Sequence, residues 1–323
     1  MSTPGMPPND RGWLPHWQDG DRIDDFNNPN YQTFPSAASN LPKSYRNKIG
    51  YLTYVQFLMD HGRDLRPEGS THVPLSKDSP DCPYHQESTA GGSFSFPPRT
   101  QPMHACRRSL IAAMAAIEDR NSTIPNMDLR DRVSVITFES LDGGNTPQIV
   151  QQLTGDYQAA MQACTDLQAV GDKGNTTGTE AGLDVAAQHI RPASAGGQGR
   201  EGTDKVMVLL TDGVPNAYIS SDGSIDSFMT ANPSGDFYSG GYYWLDAALM
   251  QSAMMESAGT DLYPVGIGLG TEYGFMDRMA RMGGTAGDDG NSPRGSGNPA
   301  EYEQALSDIF GEIIASPTAR LVE

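Results

Sequence analysis

The chain is poor in the groups that the commonest chemistries require. Three cysteines, Cys82, Cys106 and Cys164, are too few to staple 323 residues, and the odd count leaves at least one thiol without a partner within the chain. Positive charge is scarce too: 22 Lys and Arg stand against 40 Asp and Glu, a net charge of −18 that a duplex phosphate backbone or an anionic lipid surface repels. Nucleic acid is therefore excluded as the expected partner. No run approaches the roughly 18 apolar residues of a membrane helix, so membrane contact is expected only through a segment absent from this chain. The first thirty residues lack the basic start and apolar stretch of a signal peptide, which leaves two readings: the protein stays where it is made, or it is a piece of a longer chain. G-x-S-x-G, H-E-x-x-H, a P-loop lysine and a strand-linked G-x-G-x-x-G are all missing, and the expectation is that the chain is not an enzyme.

What is present suggests a compact core with irregular excursions. The 36 glycines and 23 prolines imply many turns, and the length suits two domains, or one with a long insertion, at about 150 residues each. Residues 1–102 read as an irregular extension or insertion, rich in Pro and Asn, and the aromatics of roughly its first 45 residues follow no period of two or 3.6. Within it, KIGYLTYVQFLMDHG fits a helix, while Tyr54 to Met59 also suits a buried strand. From residue 103 the pattern is regular. The spacing predicts helices over 104–121, 156–167, 179–190, 242–258, 275–282 and 302–314, with a capping threonine or a neighbour opening the third. Strands are expected at 93–96, 132–138, 148–153, 205–210, 261–269 and 318–323. This alternation predicts an α/β fold, a doubly wound, mostly parallel sheet flanked by helices, over residues 103–323.

Ligands of such a sheet sit at the carboxyl ends of its strands. Asp212 directly follows KVMVLLT, and Thr176, Thr177 and Thr179 lie in a glycine-bearing loop that runs into a helix. A carboxylate and a hydroxyl on adjacent loops are hard oxygen donors suited to Mg²⁺ or Mn²⁺. Each residue also has a plain structural role, since an Asp-Gly pair after a strand makes a turn and a threonine caps a helix. His189 reads as a surface or capping histidine, Asp222, Asp226 and Asp236 as a solvated face, and residues 287–297 as a flexible insertion. Cys82, His85, His104 and Cys106 are four zinc-ligand types in an unusual spacing, against which stand a plain disulfide and free buried thiols.

In order and spacing, VSVITF, GNTTGTEAGLDVA, KVMVLLTDGVPN, DLYPVGIGLG and FMDRMARMGG resemble successive elements of a von Willebrand factor A domain. The ending EQALSDIFGEIIASPTARLVE and the acidic balance resemble the TadG-like proteins of bacterial tight-adherence (Flp-type) pilus assembly. The resemblance implies a metal-ion-dependent adhesion site in which Thr177 is the threonine, with Thr176 the adjacent alternative, and Asp212 the aspartate of the TDG segment. The family's first element, Asp-x-Ser-x-Ser, has one counterpart here, Asp60-His61-Gly62-Arg63-Asp64, which keeps Asp60 and replaces the serines by Gly62 and Asp64. The alternative is that 50–60 is a helix and the first strand lies upstream of Met1. The function implied is binding: an extracellular, cell-surface or periplasmic adhesion or assembly module that takes an acidic residue of a protein partner at the metal. Its alternatives are a cytoplasmic subunit partnering an ATPase or chelatase, and a scaffold without metal.

Overall fold

A computed structural model describes residues 85–97, 102–141, 146–167, 176–238, 240–267, 272–294 and 301–315. The DHGRD segment with Asp60 and Asp64, the 50–60 alternative, Cys82 and the strand expected at 318–323 lie outside the described residues. The chain divides into two compact units, one of residues 1–88, 92–104 and 165–169, the other of 89–91, 105–164 and 170–323.

In the first unit, β1 (His85–Thr89) pairs with β2 (Gly92–Phe96) across a two-residue connection. Only the second of these strands is legible in the sequence, because HQEST carries no apolar alternation. His104 Nε2 lies 3.3 Å from the Glu87 carboxylate, and the Phe96 ring meets the imidazole edge-on at 5.4 Å between centroids.

The second unit carries the α/β pattern. After α1 (Met103–Asn121), most of which it includes, come β3 (Val133–Thr137) and β4 (Gln148–Thr154), then α2 (Tyr157–Thr165) and α3 (Thr179–Ile190). β5 (Lys205–Thr211), α4 (Asp222–Ala231), α5 (Tyr243–Ser257), β6 (Thr260–Gly266), α6 (Tyr273–Met282) and α7 (Tyr302–Ala315) complete it. β5 and β6 are parallel and in register from Lys205 opposite Thr260 to Thr211 opposite Gly266. β3 and β4 are antiparallel, a local departure from the parallel pattern. The reason is the link: ten residues separate Thr137 from Gln148, too few for the helical crossover that a parallel pair needs. Among the described residues no helix is long and apolar enough to cross a membrane.

The core gathers between the β5–β6 ladder and helices α3, α5 and α6, where Leu183, Leu209, Leu249, Leu262 and Met276 are buried together. Helix α3 approaches closely because residue 182 is glycine: a Cβ there would stand 2.7 Å from Cβ and Cγ of Phe138. In the 216–241 segment Asp222 and Asp226 are exposed, as expected of a solvated face, and the chain beneath them folds α4 onto α5 through Ile225, Ala247 and Met250. Asp222 and Asp226 accept hydrogen bonds from the Tyr218 and Tyr243 hydroxyls, and Asp236 pairs with Arg281. Cys106 and Cys164 are buried free thiols, and burial pushes both up to about 12.

Candidate metal centre

The TDG turn begins inside the sheet. Thr211 is buried, its carbonyl accepts the Ile267 N–H at 2.8 Å, and its hydroxyl donates to the Gly213 carbonyl at 3.1 Å. The chain is thus bent sharply at the strand end, and Asp212, the residue at the bend, is exposed to solvent.

The loop before α3 comes to the same place. The Thr177 N–H donates to Asn216 Oδ1 at 2.7 Å, and the Asn216 N–H returns a bond to the Thr177 carbonyl at 3.2 Å. Next to it, the Gly178 N–H donates to the Glu139 carbonyl at 2.7 Å, just past the end of β3. A side chain at 178 would strike the Leu141 methyl at 2.8 Å, so glycine permits this approach. Three loops, after β3, before α3 and after β5, are therefore joined at one pole of the unit. Thr177 and the segment that follows Asp212 are brought together there.

Of the two openings expected for α3, a capping threonine or a neighbour, the helix uses the neighbour. Its N-cap is Gly178, without a side-chain hydrogen bond, and Thr179 is the first helical residue. Thr179 is 1% exposed, and its hydroxyl has no hydrogen-bond partner. An orphaned buried hydroxyl, a half-buried Thr177 and an exposed carboxylate at Asp212 are hard oxygen donors, which fit a hard divalent cation better than a soft one. Glu180, 2% exposed, turns away to the other loop, where its Oε2 accepts the N–H groups of Ile219 at 2.6 Å and Ser220 at 3.2 Å. Among the described residues no three His, Cys, Asp or Glu side chains converge on one point.

The sequence reading passed over Asn216, Glu180 and Gly178. A glutamate in the first turn is the ordinary complement of a helix dipole, and an asparagine after Pro215 is ordinary turn chemistry. Only the fold reveals that these side chains tie distant loops together. His189 is corrected as well. It is buried on α3 and accepts the Leu153 N–H of β4 at Nε2, 3.2 Å away, so it is neither a surface nor a capping group. Desolvation and then the nearby Arg132 hold its pKa below the ordinary value. The 287–294 stretch, expected to be a flexible insertion, is tied down by Asp277, whose carboxylate accepts from the Ser292 N–H and hydroxyl and from Arg294.

Residues 120–290, more than half of the chain, match the model of the von Willebrand factor type A domain. The chain belongs to the von Willebrand factor type A domain family. Among solved structures, this von Willebrand A domain is similar to proximal thread matrix protein 1 from the mussel byssus, with 13% identity and a TM-score of 0.42, over 64% of this chain and 42% of that one. Another structure of that protein, described as having a zinc-occupied MIDAS motif, matches at 13% identity and TM-score 0.40, over 62% and 42% of the two chains. The pilus adhesin SpaC from Lactobacillus rhamnosus GG matches at 16% identity and TM-score 0.43, over 66% of this chain and 28% of the adhesin. The chain thus spans less than half the length of these structures. No curated protein matches it at a significant level.

Charge in this von Willebrand A domain is unevenly placed. No Lys or Arg occurs between Lys205 and Arg278, so the TDG loop, α4 and α5 carry no cationic side chain. The guanidinium groups of Arg130, Arg132 and Arg200 and the Lys205 ammonium instead bond to backbone carbonyls near the starts of β3 and β5. The loop bearing Asp212 and helix α4 are therefore acidic, while Arg278 of α6 stacks on Tyr238 ahead of α5.

Proposed function

We propose that this von Willebrand A domain is a metal-dependent binding module, a TadG-like adhesion or pilus-linked assembly protein of the cell surface or periplasm. The single observation that carries this reading is the junction of the three loops at Thr177, Asn216, Gly178 and Glu139, which holds the threonine loop against the TDG loop. Thr177 and Asp212 would hold Mg²⁺ or Mn²⁺. Asp60, with Asp64 beside it, is the sequence's candidate for the further carboxylate. When bound, such an ion would polarise and orient one carboxylate of a protein partner. This chain's residues do the rest: Asn216 fixes the backbone on which the Thr177 hydroxyl is carried, and Thr211 sets the bend that projects Asp212.

Calorimetric titration of the protein with MgCl₂ and MnCl₂, alongside thermal melts, tests the reading. Binding heats are expected for the wild type. At 100 times the dissociation constant a bound ion should add about 2.7 kcal/mol. Asp212→Ala should abolish the heats while changing stability by no more than about 1 kcal/mol, because the side chain is solvated. A wild type without heats and without a cation-dependent melting shift would leave a scaffold in place of a metal module.

A further inference from the structure

Resting on the metal-dependent reading above, we propose that Ile219 is an apolar contact beside the metal centre, and that the partner segment it fits carries one carboxylate next to an aliphatic or aromatic side chain.

A lone exposed isoleucine means little, because much of any protein surface is apolar. Ile219 differs in how its backbone is held. Its side chain is 54% exposed, yet its own N–H and that of Ser220 are captured by the buried Glu180 carboxylate, at 2.6 and 3.2 Å. Three residues earlier Asn216 is locked to Thr177. Tyr218, just before it, packs on the small core of α4 and α5, and on the other side Ser221 caps α4. A buried carboxylate must be hydrogen-bonded, and placing its bonds here makes the loop stiff where a solvated loop would have been enough. The stiffness presents one apolar side chain at a fixed place, three residues from the asparagine that holds the threonine loop.

Topology adds a second apolar group to the same pole. Helix α5 runs back toward Thr260, the start of β6, over about 22 Å, and the strands are about 23 Å long. Its N-terminal end therefore lies where β5 ends, and Tyr242, 46% exposed, stands there. Among the described residues, the exposed Val206 at the start of β5, Met127 and Leu129 before β3 and Met254 near the end of α5 lie elsewhere, and Val150 lies near the start of β4.

Charge selects the occupant. The loop after β5 and helix α4 carry Asp212, Asp222 and Asp226 and no Lys or Arg. A partner carboxylate finds no cation in that loop or helix. Arg278, which lies over the Tyr238 ring at 4.3 Å, already donates to the Gly235 carbonyl at 3.1 Å, so the metal ion is the main attraction and every additional partner acid is repelled. One carboxylate with apolar neighbours fits; a polyacidic segment does not.

Three acetylated, amidated peptides in polyglycine context, centred on Leu-Asp-Phe, Gly-Asp-Gly and Leu-Asn-Phe, serve as probes against the full chain, in millimolar MgCl₂ and in EDTA. Fluorescence anisotropy is expected to show Leu-Asp-Phe bound only with Mg²⁺, about tenfold tighter than Gly-Asp-Gly, the gain from burying one aliphatic contact. Leu-Asn-Phe should not bind. Ile219→Ser should erase the tenfold preference and leave calorimetric Mg²⁺ binding unchanged. Glu180→Gln, with Ile219 intact, should reduce the same preference by loosening the loop. Equal binding of the two Asp peptides, no binding of either, or a preference that survives Ile219→Ser, each with Mg²⁺ heats present, overturns the proposal and leaves the metal reading standing. Absent Mg²⁺ heats overturn both.

Discussion

Asn216 and Thr177, 39 residues apart, exchange two hydrogen bonds: the asparagine side chain takes the threonine N–H at 2.7 Å, and its own N–H returns to the threonine carbonyl at 3.2 Å. This reciprocal pair is the clasp between the helix α3 loop and the TDG loop. Asn216→Ala removes one arm of it. The expected cost is about 1 kcal/mol of stability, with a larger proportional loss of Mg²⁺ affinity, because the backbone carrying the Thr177 hydroxyl is freed. Calorimetry and thermal melts on one preparation separate the two effects. Unchanged affinity beside a lowered melting temperature would reduce the clasp to a structural role.

Glu180 is nearly inaccessible, and its Oε2 accepts two backbone N–H groups, those of Ile219 and Ser220. Glu180→Ala strands these two donors at the loop and creates a void at the helix start. A loss of about 3 kcal/mol is expected, since bonds to a charged acceptor are worth more than neutral ones. Hydrogen exchange at the Ile219 and Ser220 amides should speed up before any change in the β5–β6 ladder. Retained protection at both amides would show that other contacts hold the loop.

Gly182 is the contact point of α3 with Phe138. Replacing glycine by alanine inside a helix normally gains up to about 1 kcal/mol. Here the new methyl would sit 2.7 Å from Phe138 Cβ, and relieving such overpacking costs about 1 to 3 kcal/mol. The clash wins, so Gly182→Ala is expected to lower the denaturant midpoint with the slope unchanged. A raised midpoint would mean that Phe138 yields freely.

His189 should make stability depend on pH. Its Nε2 accepts the Leu153 N–H, which requires a neutral ring, and desolvation together with Arg132 lowers its folded pKa below the ordinary 6.5. The unfolded chain thus binds the proton more readily than the folded one. This contribution is complete above about pH 6.5 and is lost as the pH falls from there toward the lowered folded value. Melting temperatures recorded between pH 5 and 8 should drop on the acid side. His189→Gln, which keeps an acceptor without the titration, should flatten that part of the curve. An unaltered acid slope in the variant would assign it to other groups.

What the sequence alone determined is what a period or a turn can encode within a dozen residues. The β-branched run KVMVLLT ends at TDG because Asp-Gly stops a strand, and TEAGLDVAAQHI is a helix of the same bounds as its apolar spacing predicts. The tertiary structure decided the rest. HQEST became a strand by pairing with GSFSF, the acidic 216–241 segment became a helix by burying Ile225, and β4 ran antiparallel because its link is short. Above all, Thr177, Glu180, Asn216 and Ile219 became one assembly only when the crossover between α3 and β5 brought their loops to one pole. Hydrogen bonds that span 39 residues leave no periodic trace, since their partners are chosen by the path of the chain and not by the residues on either side.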